Sequence, residues 1–196
     1  MIDTADLLTV FQKYRGESIV VSGRSSRHWV NISTNEKRDV PLGDPAMGGH
    51  ASFAFGLAMA NPNETIILFD SEGDLIMNMG VLTTIAEKAP PNFYHFLLDN
   101  ECYGTTGGQP VPNAKNVAYD VIARGAGYPS GFAYDNLEDF TNNVEQILSQ
   151  PGPVMVAVKV TPEVENEPIG RRRRWQTRTR DPVIQDLQGE LGVASA

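Results

Sequence analysis

Short unbroken apolar runs alternate along this chain with longer segments whose apolar positions recur at helical spacing. That is the pattern of strands buried on both faces and joined by amphipathic helices. Residues 5–11 read as an amphipathic helix that ends near Gly16, and residues 18–22 as the first buried strand, closed by Gly23. Small residues dominate positions 47–60, predicting a buried helix that stops before Asn61-Pro62. Strands are predicted at 65–69 and 93–98, with a helix from about Leu75 to Lys88 between them. A helical pattern at 116–124 and a short strand at 131–134 follow. An amphipathic helix at 137–149, capped by Asp135 or Asn136, leads to the last strand at 154–160. The alternation predicts an α/β fold, a parallel sheet sandwiched by helices.

Two segments stand outside this rhythm. Residues 24–46 carry turn formers without a sustained period, predicting an extended functional loop with about one helical turn. Beyond Pro162 the chain shows no core pattern of its own. The organisation expected is therefore one domain over residues 1–162 and an Arg-rich C-terminal extension over 163–196 that packs on the domain or on a partner. A length of 196 residues suits one well-buried domain and is short for two.

Composition narrows the classes. No apolar run approaches the ~20 residues that span a bilayer, and the first residues show no secretory pattern, so no membrane association is expected. The single cysteine, Cys102, rules out an internal disulfide and suits a reducing cytoplasm. Six arginines (Arg171, Arg172, Arg173, Arg174, Arg178 and Arg180) cluster near the C-terminus. The overall charge of −8 becomes −14 once those six positive charges are set aside. An acidic body argues against a nucleic-acid surface. The cluster reads either as a solvated or subunit-contacting tail, or as a site for an anionic substrate, because arginine forks match carboxylate, sulfonate and phosphate oxygens.

The candidate chemistry sits at the ends of two apolar strands, in Asp70-Ser71-Glu72-Gly73-Asp74 and Asp99-Asn100-Glu101-Cys102-Tyr103-Gly104. Both would reach the edge of a parallel sheet where open α/β folds bind ligands. Glu72 and Asn100 supply side-chain oxygens of the kind a hard cation such as Mg²⁺ takes, together with phosphate oxygens and water. Gly48 and Gly49 open the small-residue helix and offer backbone N–H groups to phosphate oxygens. His50 follows them as a possible catalytic or diphosphate-contacting group, whereas His95, inside an apolar strand, reads as a satisfied core residue.

These segments, in order, resemble a known family. Ser71-Glu72-Gly73 and Asp99-Asn100 resemble the thiamine-diphosphate signature. Gly23-Arg24-Ser25-Ser26-Arg27, Met47-Gly48-Gly49-His50-Ala51-Ser52, Met77-Asn78-Met79-Gly80 and Tyr103 to Gln109 extend the likeness to the thiamine-diphosphate-binding half of sulfopyruvate and phosphonopyruvate decarboxylases. The resemblance implies the fold of that diphosphate-binding (PP-type) domain and the cofactors thiamine diphosphate and Mg²⁺. It implies metal ligation by Glu72, Asn100 and the Cys102 carbonyl, with register set by Glu72 lying six residues before Asn78. Asp74 is the competing ligand, or else a first-turn acid favoured by the helix dipole. Cofactor contacts are implied for Met47, Gly48, Gly49, His50, Gly73, Asp74, Tyr103, Gly104 and Thr105, with Met47 either beneath the cofactor or simply core filler.

The resemblance further implies decarboxylation of a small 2-oxo acid to an aldehyde and CO₂. The glutamate that activates the cofactor is expected on a separate pyrimidine-domain (alpha) subunit, in a hetero-oligomer such as α2β2. Arg27 or the arginine tail would hold a second anionic group of the substrate. A carboligase or synthase subunit and a non-catalytic regulatory subunit remain open alternatives. Glu72 in place of the family's aspartate carries one more methylene, which predicts weaker or altered metal preference.

Overall fold

The buried runs form the strands that the pattern predicts, and the sheet is parallel throughout. The computed structural model describes residues 1–43, 46–171 and 174–193. Arg172 and Arg173 of the arginine cluster, Asp44 and Pro45 of the 24–46 segment, and the last three residues of the extension lie outside the described residues.

In chain order the elements are α1 (Thr4–Gln12), β1 (Ile19–Ser22), α2 (Trp29–Ile32), β2 (Asp39–Pro41), α3 (His50–Ala60), β3 (Ile66–Ser71), α4 (Glu72–Met77) and α5 (Val81–Lys88). There follow β4 (Phe93–Asp99), the two-residue strands β5 (Cys102–Tyr103) and β6 (Gln109–Pro110), α6 (Tyr119–Ala126), β7 (Ser130–Tyr134), α7 (Leu137–Leu148), β8 (Val154–Lys159) and α8 (Arg180–Glu190). The main sheet has the order β2-β1-β3-β4-β8-β7, and β5 pairs with β6 in a small antiparallel ribbon. Register runs Val20 opposite Ile67, Ile67 opposite Tyr94 and Tyr94 opposite Val154.

Alternate strand residues feed two cores, because successive side chains point to opposite faces. Ile19, Val21, Ile66, Leu68, Phe93 and Leu97 meet α3, α5, α6 and α8 on one face. Val20, Ile67, Phe69, Phe96 and Val156 meet α1, α2 and α7 on the other. Ile66, Ile67, Leu68 and Phe69 of β3 are fully buried, and each such apolar side chain contributes about 1.5–3 kcal/mol relative to exposure. Asn136 caps α7, accepting from the N–H groups of Glu138 and Asp139 at 2.8 and 3.2 Å.

Three expectations change. The 24–46 segment is not an extended loop: it forms α2 and the edge strand β2, paired in parallel with β1. Trp29 of α2 is fully buried, its indole N–H donating to Asp39 Oδ1 at 2.9 Å and its ring packing edge-on to Phe11. The predicted helix from 75 to 88 is two helices, α4 and α5, with α4 beginning earlier, at Glu72. They break at Asn78, whose side-chain amide turns away to donate to the Gly48 carbonyl at 3.1 Å. The segment after Pro162 does have a core pattern, since α8 places Val183 and Leu187, one helical turn apart, in the core. Trp175 is buried as well. Among the described residues no helix is long and apolar enough to cross a membrane.

Replacing Trp29 by alanine removes a fully enclosed aromatic and the donor to Asp39. A loss of about 3–5 kcal/mol is expected, read as a shift of the urea unfolding midpoint with unchanged slope.

Candidate functional site

Strand order reverses between β1 and β3, since the chain runs outward from β1 to β2 and then returns to the other side of β1. Crevices at such reversals, beyond the carboxyl ends of the strands, are where open α/β sheets take ligands. A cavity of about 470 Å³ lies there, walled by segments that follow β1, β3, β4 and β8. Its size falls in the range of small-molecule sites, ~300–1,000 Å³. Of the residues predicted for the site, Met47, His50, Gly73, Asp74, Asn100, Cys102, Tyr103, Gly104 and Thr105 line this cavity. Gly48, Gly49 and Glu72 are not in its wall. The Gly48 N–H is already taken, donating to Asp74 Oδ1 at 2.8 Å.

The two acidic clusters meet. Glu72 opens α4 with its side chain fully buried, accepting from the N–H of Cys102 on Oε1 at 3.0 Å and from the N–H of Asn100 on Oε2 at 3.2 Å. Asn100 Oδ1 accepts from the same Cys102 N–H at 3.0 Å. Lys159 bridges the two ends of the turn, reaching Asp99 at 2.8 Å and Glu101 at 2.9 Å. That contact secures Glu101 in a left-handed conformation, φ 65°, which costs strain in a residue other than glycine.

Burial, and then the nearby Asp99 charge, push the Glu72 carboxyl up to about 7. A sequestered carboxylate raised in this way lacks positive charge nearby, the deficit that a bound cation fills. Oxygen donors and a cavity above them fit a hard divalent ion and its phosphate ligand. Gly73 belongs to the same fit, because a Cβ there would meet the Tyr103 ring at 3.0 Å.

Beside this lies a constellation that sequence reading did not single out. Asp70, fully buried at the end of β3, contacts His95 Nε2 at 3.0 Å from Oδ2 and approaches His50 Nδ1 at 3.5 Å from Oδ1. Asp74 Oδ2 lies 2.9 Å from the same His50 nitrogen, an ion pair off the line of a hydrogen bond. Burial opposes charge on His50, but the two carboxylates outweigh it and hold the imidazole up to about 10. His95 is enclosed in β4 and paired. Asp74 lies in the first turn of α4, and the cap is Ser71, accepting from the Asp74 N–H at 3.3 Å. Gly23 lies against the imidazole, where a Cβ would come within 2.8 Å of His50 Cε1. Asp70 is an acid at the end of an apolar strand, a signal visible in the sequence, but its two histidine partners lie 20 residues before it and 25 after.

At the cavity mouth Arg27 is ion-paired with Glu163, and Arg24 reaches Glu165 at 2.8 Å. Within the arginine tail, Arg174 lines the cavity. Arg178 instead ties α8 in place through Asp186 and the Glu36 carbonyl.

The fold and the paired clusters define an α/β domain with a ligand-sized cavity at its strand ends, and comparison with known proteins gives its class. The model of the C-terminal TPP binding domain of thiamine pyrophosphate enzymes matches residues 22–158. A thiamine diphosphate-dependent 4-hydroxybenzoylformate decarboxylase from Rhodococcus jostii shares the fold, with a TM-score of 0.65 at 17% identity, covering 85% of this chain and 33% of that one. The chain is 32% identical over 165 residues to sulfopyruvate decarboxylase subunit beta of Methanococcus maripaludis, covering 83% of this chain and 86% of that protein. It is 28% identical to phosphonopyruvate decarboxylase of Streptomyces hygroscopicus over 74% of its own length, but spans only 35% of that relative. The chain belongs to the thiamine pyrophosphate enzyme family and, within it, to the relatives of sulfopyruvate decarboxylase beta subunits.

The His50 ion pair sets a pH dependence. A histidine raised from 6.5 to about 10 contributes stability that is full below 6.5 and lost as pH rises through 10. In the metal-free chain, thermal stability should therefore fall between pH 7 and 10, by up to ~1.4 kcal/mol per pH unit. The slope over that window should be flatter in His50→Gln, as read by calorimetric unfolding.

Proposed function

We propose that this chain is the diphosphate-binding subunit of a two-subunit, thiamine-diphosphate-dependent decarboxylase of small 2-oxo acids, releasing CO₂ and an aldehyde. The observation that carries the reading is the convergence of Glu72, Asn100 and Cys102 under a cavity of cofactor size. It is supported by membership of the family and by the beta-subunit relative.

Thiamine diphosphate, when bound, supplies a carbon nucleophile that adds to the substrate ketone and takes up the electron pair left by departing CO₂. The chain's own part is to hold and enclose. Glu72, the Asn100 side chain and the Cys102 carbonyl would hold Mg²⁺ against the diphosphate. Gly73, Tyr103, Gly104 and Thr105 would form the wall over it. Met47, in the cavity wall at φ 49°, would support the organic part of the cofactor, and its left-handed backbone is the kind of strain found at ligand clamps. His50, kept protonated by Asp70 and Asp74, places a positive charge in the wall where the diphosphate or the substrate carboxylate would lie.

Decarboxylation also needs an acid against the aminopyrimidine ring, and that group is assigned to a pyrimidine-domain (alpha) subunit in a hetero-oligomer such as α2β2. A cytoplasmic setting agrees with the single reduced cysteine. Carboligation would use the same site and is told apart by adding an acceptor aldehyde and analysing products.

Co-expression with a pyrimidine-domain subunit tests the whole reading. The pair should bind thiamine diphosphate in an Mg²⁺-dependent manner and release CO₂ from 2-oxo acids. Absence of cofactor binding by the assembled pair would favour a regulatory subunit instead. Glu72→Gln should abolish metal-dependent cofactor binding, and unchanged affinity by calorimetry would remove Glu72 from the metal site.

A further inference from the structure

Three side chains behind the cavity wall face a common point. His50 opens α3, Asp70 lies near the end of β3 and Asp74 in the first turn of α4, so three separate elements deliver them. One ligand-type atom from each lies within 4.8 Å of the other two, and among the described residues no other three histidine, cysteine or carboxylate side chains come together in this way. The group is enclosed: His50 is 5% exposed and Asp70 0%.

Ordinary hydrogen bonding does not account for the arrangement. His50 Nδ1 lies 2.9 Å from Asp74 Oδ2 and 3.5 Å from Asp70 Oδ1, yet Nδ1 and Asp74 Oδ2 are both shut off from solvent without a hydrogen bond. Buried polar atoms left in that state call for a ligand or a function. The distances supply one. Metal bonds of ~2.0–2.2 Å to nitrogen and oxygen set neighbouring ligands about 2.8–3.6 Å apart, the short end octahedral and the long end tetrahedral. The outer contacts are those of held ligands as well. Asp70 Oδ2 is tied to His95 at 3.0 Å and Asp74 Oδ1 to the Gly48 N–H at 2.8 Å, which leaves each acid's other oxygen turned to His50.

We infer that His50, Asp70 and Asp74 form a site for a divalent transition ion of the Zn²⁺ class, separate from the oxygen site at Glu72. The two do not share ligands, because the Glu72 carboxylate turns to the N–H groups of Asn100 and Cys102. Their chemistry differs too. Mg²⁺ takes oxygen ligands alone, whereas an imidazole beside two carboxylates suits Zn²⁺ and its neighbours in the series. Three protein ligands leave a fourth tetrahedral position for water. His50 and Asp74 belong to the cavity wall, which gives an ion its way in. The ion and the His50 proton compete for one nitrogen. Either occupant leaves a positive charge in the wall, so the part assigned to His50 above holds in both states.

The test is titration of the full chain, free of thiamine diphosphate, with Zn²⁺ by calorimetry and with Co²⁺ by visible absorption at about pH 8. A single ion should bind per chain, Mg²⁺ should fail to displace it, and Co²⁺ should show the d–d bands of a site with a nitrogen ligand. His50→Gln should weaken Zn²⁺ binding about tenfold or more. Asp74→Asn keeps the shape and the oxygen that accepts from Gly48, and should weaken binding on the same scale. His95→Gln, acting only through Asp70, should cost about tenfold. Glu72→Gln and His28→Gln should leave the ion bound with its bands unchanged.

Zn²⁺ bound no more tightly than Mg²⁺ overturns the inference, and so do Co²⁺ bands that persist in His50→Gln and Asp74→Asn. A thiolate charge-transfer band overturns it as well, by placing the ion on Cys102. Asp74→Asn decides the point if His50→Gln does not fold. No cofactor or substrate enters the titration, so a failure of the decarboxylase reading leaves its result standing.

Discussion

The structure around the site turns on one buried carboxylate. Asp70 lies at the end of the central strand with no access to water, and an ionised group there is tolerated only if it is paired and hydrogen-bonded. Burial alone would raise its carboxyl, but its contacts with His50 and His95 hold it down to about 2. Those contacts join β3 to β4 through His95 and to the first turn of α3 through His50. The Ser71 N–H adds a third bond, at 2.9 Å. Asp74 continues the chain of contacts from His50 to the Gly48 backbone. Breaking one partner would leave a buried charge uncompensated, which is why these elements share one arrangement.

The metal-like cluster is the complementary case. Glu72 is as buried as Asp70 but has only amide N–H groups for partners, so its charge is less well met and its pKa moves upward rather than down. Two acids two residues apart thus carry opposite shifts. Asp70 faces two imidazoles and is structural; Glu72 faces amide dipoles. Nearby glycines make the closeness possible. A Cβ on Gly48 would strike Asn78 Cβ at 2.7 Å, and Asn78 is the residue that parts α4 from α5.

Much of this was legible before any coordinates. Strands buried on both faces leave continuous apolar runs, and 65–69, 93–98 and 154–160 were read close to their true limits for that reason. The convergence of the 70–74 and 99–104 clusters followed from their position after parallel strands. Trp29 and β2 were missed because their burial depends on the distant partners Phe11, Arg15 and β1, while their own segment has no period. The helix in the tail went unread because Val183 and Leu187 are too few to mark α8 as a core helix until the domain surface beneath them is known. The arginine cluster, uniform in sequence, divides by contact: Arg178 ties down a helix and Arg174 faces the cavity.

The sequence by itself determined the alternation of strand and helix, and with it the parallel sheet and the edge that carries the chemistry. Both follow from local periodicity and from the direction that parallel strands share. Only the tertiary structure decided which charges meet. Asp70 joins His50 and His95, Glu72 lies under Asn100 and Cys102, and Glu163 reaches Arg27 across 136 positions. Pairing energy depends on distance and burial in three dimensions, and neither is written in the spacing of residues along the chain.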